Sequence, residues 1–266
     1  MLTIIIAVVA GLAIGVLSAG WWGSVWGIIC GVIVIMAVQL SIGLLIRKKI
    51  NAINARIQDV LMEAQKHINK KVRIFQQKPQ GNPKTMQKLL EKDQEGYLLQ
   101  VIETVDAMAP LCIWNVMLKR QMNTMKMIYY YQLRDFKQVD ALMPKVMFFD
   151  ARAVAMKLAR MYKNNEAGID KFFQRKVRKF KGDTSVIVYA VYSWILVRNE
   201  QFDAAMKVLA DAKKKTGNEV LAANWEALAN NNPKRFSNAA LADEWYALYL
   251  EEPKIKQQRV TKSIYN

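Results

Sequence analysis

The first 46 residues contain no Asp, Glu, Lys, Arg or His, and this stretch restricts the folds open to the chain more than any other feature. Residues 2–19 and 24–46 are almost entirely apolar. About 20 apolar residues are enough for a helix to cross the roughly 30 Å hydrocarbon core of a bilayer, so one helix over the whole stretch would be far too long. The sequence therefore predicts two transmembrane helices joined by a very short loop.

The loop is predicted within residues 18–23, where glycine and tryptophan are concentrated. Gly20 and Gly23 suit a tight turn, because glycine adopts backbone conformations that are closed to other residues. Trp21 and Trp22 suit the interface between lipid and water. These residues predict a helical hairpin whose tip lies at the membrane surface.

The charges after the second span predict the orientation of the hairpin. Arg47, Lys48 and Lys49 follow the span immediately, whereas the loop is uncharged. Basic flanks stay on the cytoplasmic side, so the chain from residue 47 onward and the N-terminus are both expected in the cytoplasm. A cleaved signal peptide is not favoured because no basic residue precedes the first span, and the lack of an Arg-rich leader favours a bacterial inner membrane.

Small residues recur every four positions in both spans, which lets membrane helices approach closely. This spacing predicts that the spans pack on each other or on a partner helix, although Gly and Ala are also common in membrane helices generally. The residues are Ala7, Gly11, Gly15 and Ala19 in the first span and Gly23, Gly27 and Gly31 in the second.

Residues 46–75 are predicted to continue the second helix out of the membrane as a stalk. Apolar residues recur there at three- and four-residue steps, which is typical of one apolar stripe on a helix. The stripe either joins two copies of the chain as a coiled coil or packs on its own chain. We favour its own chain because the pattern drifts. Residues 79–83, with two Pro and one Gly, are predicted to be a linker that ends a basic juxtamembrane region over 47–83.

Residues 84–253 are predicted to form an all-α domain, because long 3.6-residue periodicities dominate and Gly and Pro are few. An apolar residue inside a polar turn recurs with separations of 33, 33 and 34 residues. The recurring residues are Phe136, Ile169, Phe202 and Phe236. This period indicates an internal repeat of two helices per unit, and a helical bundle without repeats is the alternative.

The unit around Phe202 carries the clearest pattern, with the small residues Ser193 and Ala205 where two paired helices would cross closely. Over residues 120–253 the chain resembles the tetratricopeptide repeat family, with one close unit and three degenerate ones. The resemblance implies an α-solenoid whose concave face, lined by the first helix of each unit, binds peptides or partner proteins. On this chain the implied lining residues are Gln121, Thr124, Tyr131, Lys157, Asn164, Trp194, Arg198, Asn224 and Asn231. Core packing is an equally good interpretation of Tyr131 and Trp194.

The sequence contains no arrangement of residues that indicates catalysis, a cofactor or a metal. Phosphate-binding loops, dinucleotide-binding turns, nucleophile elbows and CxxC pairs are all missing, and His67 is the single histidine. Glu251 and Glu252 precede a proline and are expected to be solvated. We therefore predict a binding protein without a cofactor rather than an enzyme.

The net charge of +17 lies entirely after residue 46 and favours acidic partners. Basic residues are concentrated in the aromatic segment 171–181, at 213–215 and in a predicted basic tail over 254–266. A solvated basic face is the simplest interpretation, followed by contact with anionic lipid or an acidic protein, and then by nucleic acid. The sequence as a whole predicts a membrane-anchored scaffold that binds a partner protein or assembles a membrane complex, with a membrane-tethered nucleic-acid-binding protein as the rival. Homo-oligomers would form through the hairpin or the stalk.

Overall fold

The computed structural model describes residues 2–77 and 82–253 of the chain. Every regular element within these ranges is a helix, which confirms the predicted all-α class. The α-helices are α1 (Leu2–Trp22), α2 (Ser24–Gln77), α3 (Pro83–Asp106), α4 (Val116–Gln132), α5 (Phe136–Leu142), α6 (Ala151–Lys163), α7 (Ile169–Val177), α8 (Val186–Arg198), α9 (Phe202–Thr216), α10 (Glu219–Ala229) and α11 (Ala242–Tyr246). Short 3-10 helices cover Ala109–Ile113, Met143–Lys145, Gly182–Ser185, Pro233–Arg235 and Ala239–Leu241. The basic tail at 254–266 and most of the predicted linker lie outside the described residues.

A single residue, Gly23, separates α1 from α2, and its φ of +91° lies in the left-handed region. Residues with a Cβ rarely adopt this conformation, so the turn depends on glycine. Because the turn is this short, Trp21 and Trp22 belong to the last turn of α1 rather than to a loop, and both are largely exposed. The second helix continues past residue 46 without interruption to Gln77, as the apolar stripe over residues 46–75 predicted.

Three helical stretches are long and apolar enough to cross a membrane: Leu2–Trp22, Ser24–Gln77 and Thr85–Ile113. In the first two, large apolar side chains face outward, and Val16 and Ile28 are 73% and 70% exposed. Such an extended apolar surface marks contact with a membrane or another protein rather than with water. The two N-terminal helices therefore have the surface of lipid-facing helices.

The third stretch has a different distribution of charge. Its apolar residues Leu98, Val101 and Val105 are buried inside the protein, whereas the charged residues Glu95 and Glu103 are exposed. A helix in lipid needs the opposite arrangement, because exposed charges in the hydrocarbon core are costly. This distribution of charge distinguishes α3, which packs on α2, from the two N-terminal helices.

The predicted small-residue stripes meet along the contact between α1 and α2. A Cβ built on Gly27 would lie 2.6 Å from the backbone oxygen of Gly15, and one built on Gly31 would lie 2.9 Å from that of Gly11. These distances are shorter than a carbon atom tolerates, so the two backbones touch only because side chains are missing. Ala19 also contacts Gly27.

Ala7 and Gly23 complete the predicted stripe. Ala7 is fully buried. Gly23 differs from the prediction, because it forms the turn and no atom lies within 4 Å of a Cβ built on it. The small residues therefore have two roles. Those along the helices allow close packing, and Gly23 allows the chain to reverse direction.

The apolar stripe of the stalk packs on its own chain. Ile57 is 1% exposed and belongs to a core with Val101, Val105 and Met108, to which residues of α4 also contribute. Full burial of one such aliphatic side chain stabilises a protein by about 1.5–3 kcal/mol. Near the far end of α2, Lys71 pairs with Asp93, so α3 runs antiparallel to α2.

The chain divides into two compact units at Met147 and Phe148. This boundary lies inside the region that the sequence assigns to one repeat domain. The first unit contains α1 to α5, and the second contains α6 to α11.

Four of the described helices, α4, α6, α8 and α10, end in the same way. After α8, the amide of Glu200 donates to the carbonyl of Val197 at 3.1 Å, and the amide of Gln201 donates to that of Leu196 at 2.9 Å. This pair of bonds is the Schellman motif, which satisfies carbonyl groups that a helix end would leave without donors. Each helix is followed by a residue with φ between 52° and 59°, namely Arg134, Asn165, Glu200 and Asn231.

The recurring helix ends agree with the spacing seen in the sequence. The helices α5, α7 and α9 begin at Phe136, Ile169 and Phe202, which are the recurring apolar residues. In the fourth unit the corresponding Phe236 follows a 3-10 helix instead. The starts of α5, α7 and α9 are therefore spaced at a regular period of 33 residues.

The helix α8 forms the centre of the second unit. It is apolar all round and almost wholly buried, as expected for a helix that neighbours cover on all sides. It contacts α6, α7, α9 and α10. Ser193 on α8 and Ala205 on α9 are both fully buried, and the two helices pack on each other. Tyr189 and Tyr192 donate hydrogen bonds to Asp211 and Asp170, which satisfies their polar ends.

Candidate partner-binding groove

A cluster at the C-terminal end of α8 joins two tryptophans to one carboxylate. Trp194 Nε1 donates to Glu251 Oε1 at 2.8 Å, and Trp245 Nε1 donates to Glu251 Oε2 at 3.0 Å. Arg198 also donates to Glu251 Oε1 at 2.8 Å, and its guanidinium lies 4.9 Å from the centre of the Trp194 ring. Both indoles are buried, so Glu251 supplies the acceptors that water cannot.

The surroundings of Glu251 have opposing effects on its charge. Burial by itself would raise the pKa of this carboxyl group. The hydrogen bonds from Trp194, Trp245 and Arg198 outweigh that effect and lower the pKa below its ordinary value. Glu251 is therefore ionised near neutral pH, and the expectation from the sequence that it is simply solvated is wrong.

An open groove of about 1020 Å³ lies beside this cluster. Phe202 at the start of α9, Phe236 and Tyr246 provide aromatic surface, and Phe202 is 36% exposed. Trp194 and Arg198, both predicted to line a partner groove, do line this one. No sequence pattern pointed to Tyr246 or Glu251, because they lie about 50 residues further along the chain than Trp194 and only the fold brings them close to it.

The charges of the groove are of both signs. Arg198 and Glu251 pair with each other. Lys234 is basic, whereas Glu200 and Glu252 are acidic. This balance does not select an acidic ligand, which the net charge of the chain favoured. The aromatic surface favours a segment with an apolar side chain between polar ones.

Three of the predicted lining residues are buried, and of these Trp194 lines the groove. Tyr131 and Asn224 do not line it, so the groove prediction is wrong for Asn224, and core packing, the alternative for Tyr131, describes that residue. Tyr131 is 1% exposed and packs edge-on against Phe136, with ring centres 5.4 Å apart. Asn224 is 2% exposed and donates to Asn238 at 2.8 Å. Neighbouring elements cover the helix faces on which these residues lie.

Three further predicted residues make contacts within the chain. Thr124 accepts a hydrogen bond from the amide of Met147 at 3.0 Å. Lys157 pairs with Glu166 at 2.7 Å, and Asn164 donates to the same carboxylate at 3.4 Å. None of these three side chains is among the residues that line the groove beside Trp194.

The remaining predicted residues, Asn231 and Gln121, are exposed and are not among the residues that line the groove beside Trp194. Asn231 occupies the left-handed position after α10, with φ 53°. Gln121 lies on α4 in the first unit and lines another cavity, together with Arg47. Lys48 and Lys49 are exposed beside Arg47.

The basic segment 171–181 divides into a buried face and an exposed face. Phe172 and Phe173 are buried, as core packing predicts. Lys176 lies 5.3 Å from the ring centre of Phe148, and its pKa is lowered by burial first and by neighbouring positive charges second. Phe149 is 63% exposed, and Lys179 lies 5.5 Å from the centre of its ring.

Within residues 2–77 and 82–253, no group of three or more His, Cys, Asp or Glu side chains is placed to hold a metal ion. In comparisons with protein-family models, curated proteins and solved structures, nothing matches this chain.

Proposed function

We propose that the protein is a membrane-anchored adaptor that binds a segment of a partner protein in the groove beside Trp194. In this proposal α1 and the first half of α2 cross a bacterial inner membrane as a hairpin, and the chain from Arg47 onward lies in the cytoplasm. The role is binding rather than catalysis.

The anchor is supported by the first 46 residues, which carry no charge and expose apolar side chains on the helix pair. The orientation is supported by Arg47, Lys48 and Lys49, because basic residues flank membrane helices on the cytoplasmic side. Both ends of the hairpin then face the cytoplasm.

A tetratricopeptide-like solenoid is supported by the recurring helix ends. The same Schellman motif closes α4, α6, α8 and α10, and the next elements follow with a period near 33 residues. Repeats of this size expose continuous surfaces that bind extended peptides. A shared local geometry at four places is stronger support than sequence spacing alone.

The groove beside Trp194 is the observation that carries the binding role. It is about 1020 Å³ in volume, which is at the upper end of typical ligand pockets, and its aromatic wall remains partly exposed. Aromatic residues concentrate at protein interfaces because they bury a large area with few rotatable bonds. The hydrogen bond from Trp194 to Glu251 holds this indole, which lines the groove, in place.

Site-specific photo-crosslinking in living cells tests the proposal. A photoreactive phenylalanine analogue replaces Phe202 in the groove or, as the matched control, Phe149, which is an exposed phenylalanine outside it. We expect a light-dependent adduct with a defined protein at position 202 and none of the same mass at position 149. Equal adducts at both positions, or none at position 202, would contradict the proposal.

The exposed face of segment 171–181 supports a second function, the binding of nucleic acid. Phe149 offers an open ring beside Lys179, and stacking on an aromatic ring between basic residues is how single strands are bound. The full-length protein in detergent would then bind single-stranded RNA with an affinity that falls steeply with salt. Binding that Phe149→Ala leaves unchanged would exclude this surface, and Phe202→Ala is its control.

A further inference from the structure

A cavity of about 700 Å³ lies at the end of the first unit where α1 begins and α2 leaves the predicted membrane region. Its wall contains Arg47, Gln39 and Gln121, and Ile46 supplies apolar surface. Trp114, which follows α3, closes another side. The cavity therefore combines a cation, amide groups and apolar side chains in one space.

The path of the chain explains why distant residues meet there. The helix α3 returns antiparallel along α2, so the 3-10 helix Ala109–Ile113 arrives beside the start of α1. The hydroxyl group of Thr3 donates to the carbonyl of Trp114 at 3.4 Å, which joins these segments directly. The antiparallel pairing of α2 and α3 thus sets the level of the cavity along α2.

The level of the cavity coincides with the boundary between apolar and charged sequence. The charge-free stretch ends at Ile46, and Arg47 is the first charged residue. Leu40 and Leu44, on the preceding turns of α2, are each 65% exposed. Ile113 is 66% exposed on the returning segment. Apolar side chains therefore lie on one side of Arg47 and polar groups on the other, which matches the division within a phospholipid molecule.

The electrostatics of the cavity favour an anion. Among the ion pairs of the described residues, none involves Arg47. Lys119 and Arg120 at the start of α4 are exposed and add positive charge near Gln121. A guanidinium binds phosphate oxygens through two parallel hydrogen bonds, which a single ammonium group does not provide.

We propose that this cavity binds the headgroup of an anionic phospholipid, with Arg47 holding the phosphate and the acyl chains lying along Leu40 and Leu44. The inference rests on the proposed function, because it requires α1 and α2 to span a bilayer. Bound lipid would connect the membrane helices with the returning segment at Trp114, and so stabilise α3 and α4 at the membrane surface.

Native mass spectrometry of the full-length protein in a non-ionic detergent, titrated with phosphatidylglycerol, tests the site. Arg47→Gln removes the guanidinium, and Lys49→Gln is the matched control because it removes one charge two residues away and does not line the cavity. We expect Arg47→Gln to weaken binding of the first lipid by about tenfold or more, since a charge-assisted hydrogen bond is lost. The control should change it by less than about twofold.

Two competitors identify the source of the phosphate. Phosphatidylcholine should bind more weakly than phosphatidylglycerol, and soluble glycerol 3-phosphate should not displace the lipid at equal concentration. Equal losses in the two variants, equal binding of the two lipids, or displacement by glycerol 3-phosphate would each overturn the inference.

Alkaline carbonate extraction of membranes containing the wild-type protein separates this inference from the proposed function. Release of the protein into the soluble fraction would overturn the membrane anchor itself. Retention in the membrane, together with equal lipid affinities of Arg47→Gln and Lys49→Gln, would overturn the lipid site alone.

Discussion

Replacement of Glu251 by glutamine should destabilise the second unit, because one carboxylate serves two buried indoles. Glutamine keeps the shape but offers one oxygen, so either Trp194 or Trp245 loses its acceptor and faces an NH₂ group instead. A buried donor without a partner costs about 1–3 kcal/mol. The exposed Arg198 adds little, since its pairing is screened by solvent. We expect a loss of about 2 kcal/mol in the free energy of unfolding.

The assay is urea unfolding of the full-length protein in detergent, followed by tryptophan fluorescence. The neighbouring substitution Glu252→Gln is the control, because Glu252 also lines the groove and is exposed. The midpoint should fall for Glu251→Gln and stay within error for Glu252→Gln. Equal midpoints for the two variants would refute the argument that Glu251 holds the indoles.

The dependence on pH provides a second check on the same carboxylate. The pKa of Glu251 is lower in the folded protein than its ordinary value of 4.5. The stabilisation from ionised Glu251 is therefore fully present above pH 4.5 and is lost as the pH falls through the lower folded pKa. The difference in unfolding free energy between the wild type and Glu251→Gln should shrink over that acidic range. A difference that stays constant over this acidic range would show that the charge of Glu251 contributes nothing to the free energy of unfolding.

Three further substitutions test other parts of the structure by thermal unfolding. Gly27→Ala should destabilise the α1–α2 pair by about 1–3 kcal/mol, because its Cβ would lie 2.6 Å from the backbone oxygen of Gly15. Gly43→Ala is the control and should not destabilise the protein, because no atom lies within 4 Å of a Cβ built there. Glu200→Gly should stabilise the protein by about 0.5–1 kcal/mol, because it relieves a left-handed residue at φ 58°, and a loss of stability would contradict this reading. Asn224→Ala should lower the free energy of unfolding by about 2–4 kcal/mol, since the amide of Ser237 and the side chain of Asn238 both lose a hydrogen-bond partner. An unchanged unfolding midpoint would show that water replaces the Asn224 side chain as their partner.

Local patterns in the sequence determined the helices and the features that depend on near neighbours. The charge-free stretch and the four-residue spacing of Gly and Ala predicted a close pair of apolar helices, because hydropathy and side-chain volume act on each turn independently. The recurrence of Phe136, Ile169 and Phe202 inside polar turns indicated a regular period. The structure begins α5, α7 and α9 at these residues, since a helix start is a local event.

The tertiary structure alone decided which faces are covered. The same periodicity marks a face of α4 and α10 whether it meets solvent or another helix. Asn224 was therefore expected in a groove and Tyr131 either in a groove or in the core, and both are buried. Glu251 was expected to be solvated because Trp194, one of its two indole partners, lies 57 residues earlier in the chain. The cavity at Arg47 exists because α3 returns along α2. That pairing depends on contacts between side chains far apart in the chain, and the spacing of residues within one helix does not predict such contacts.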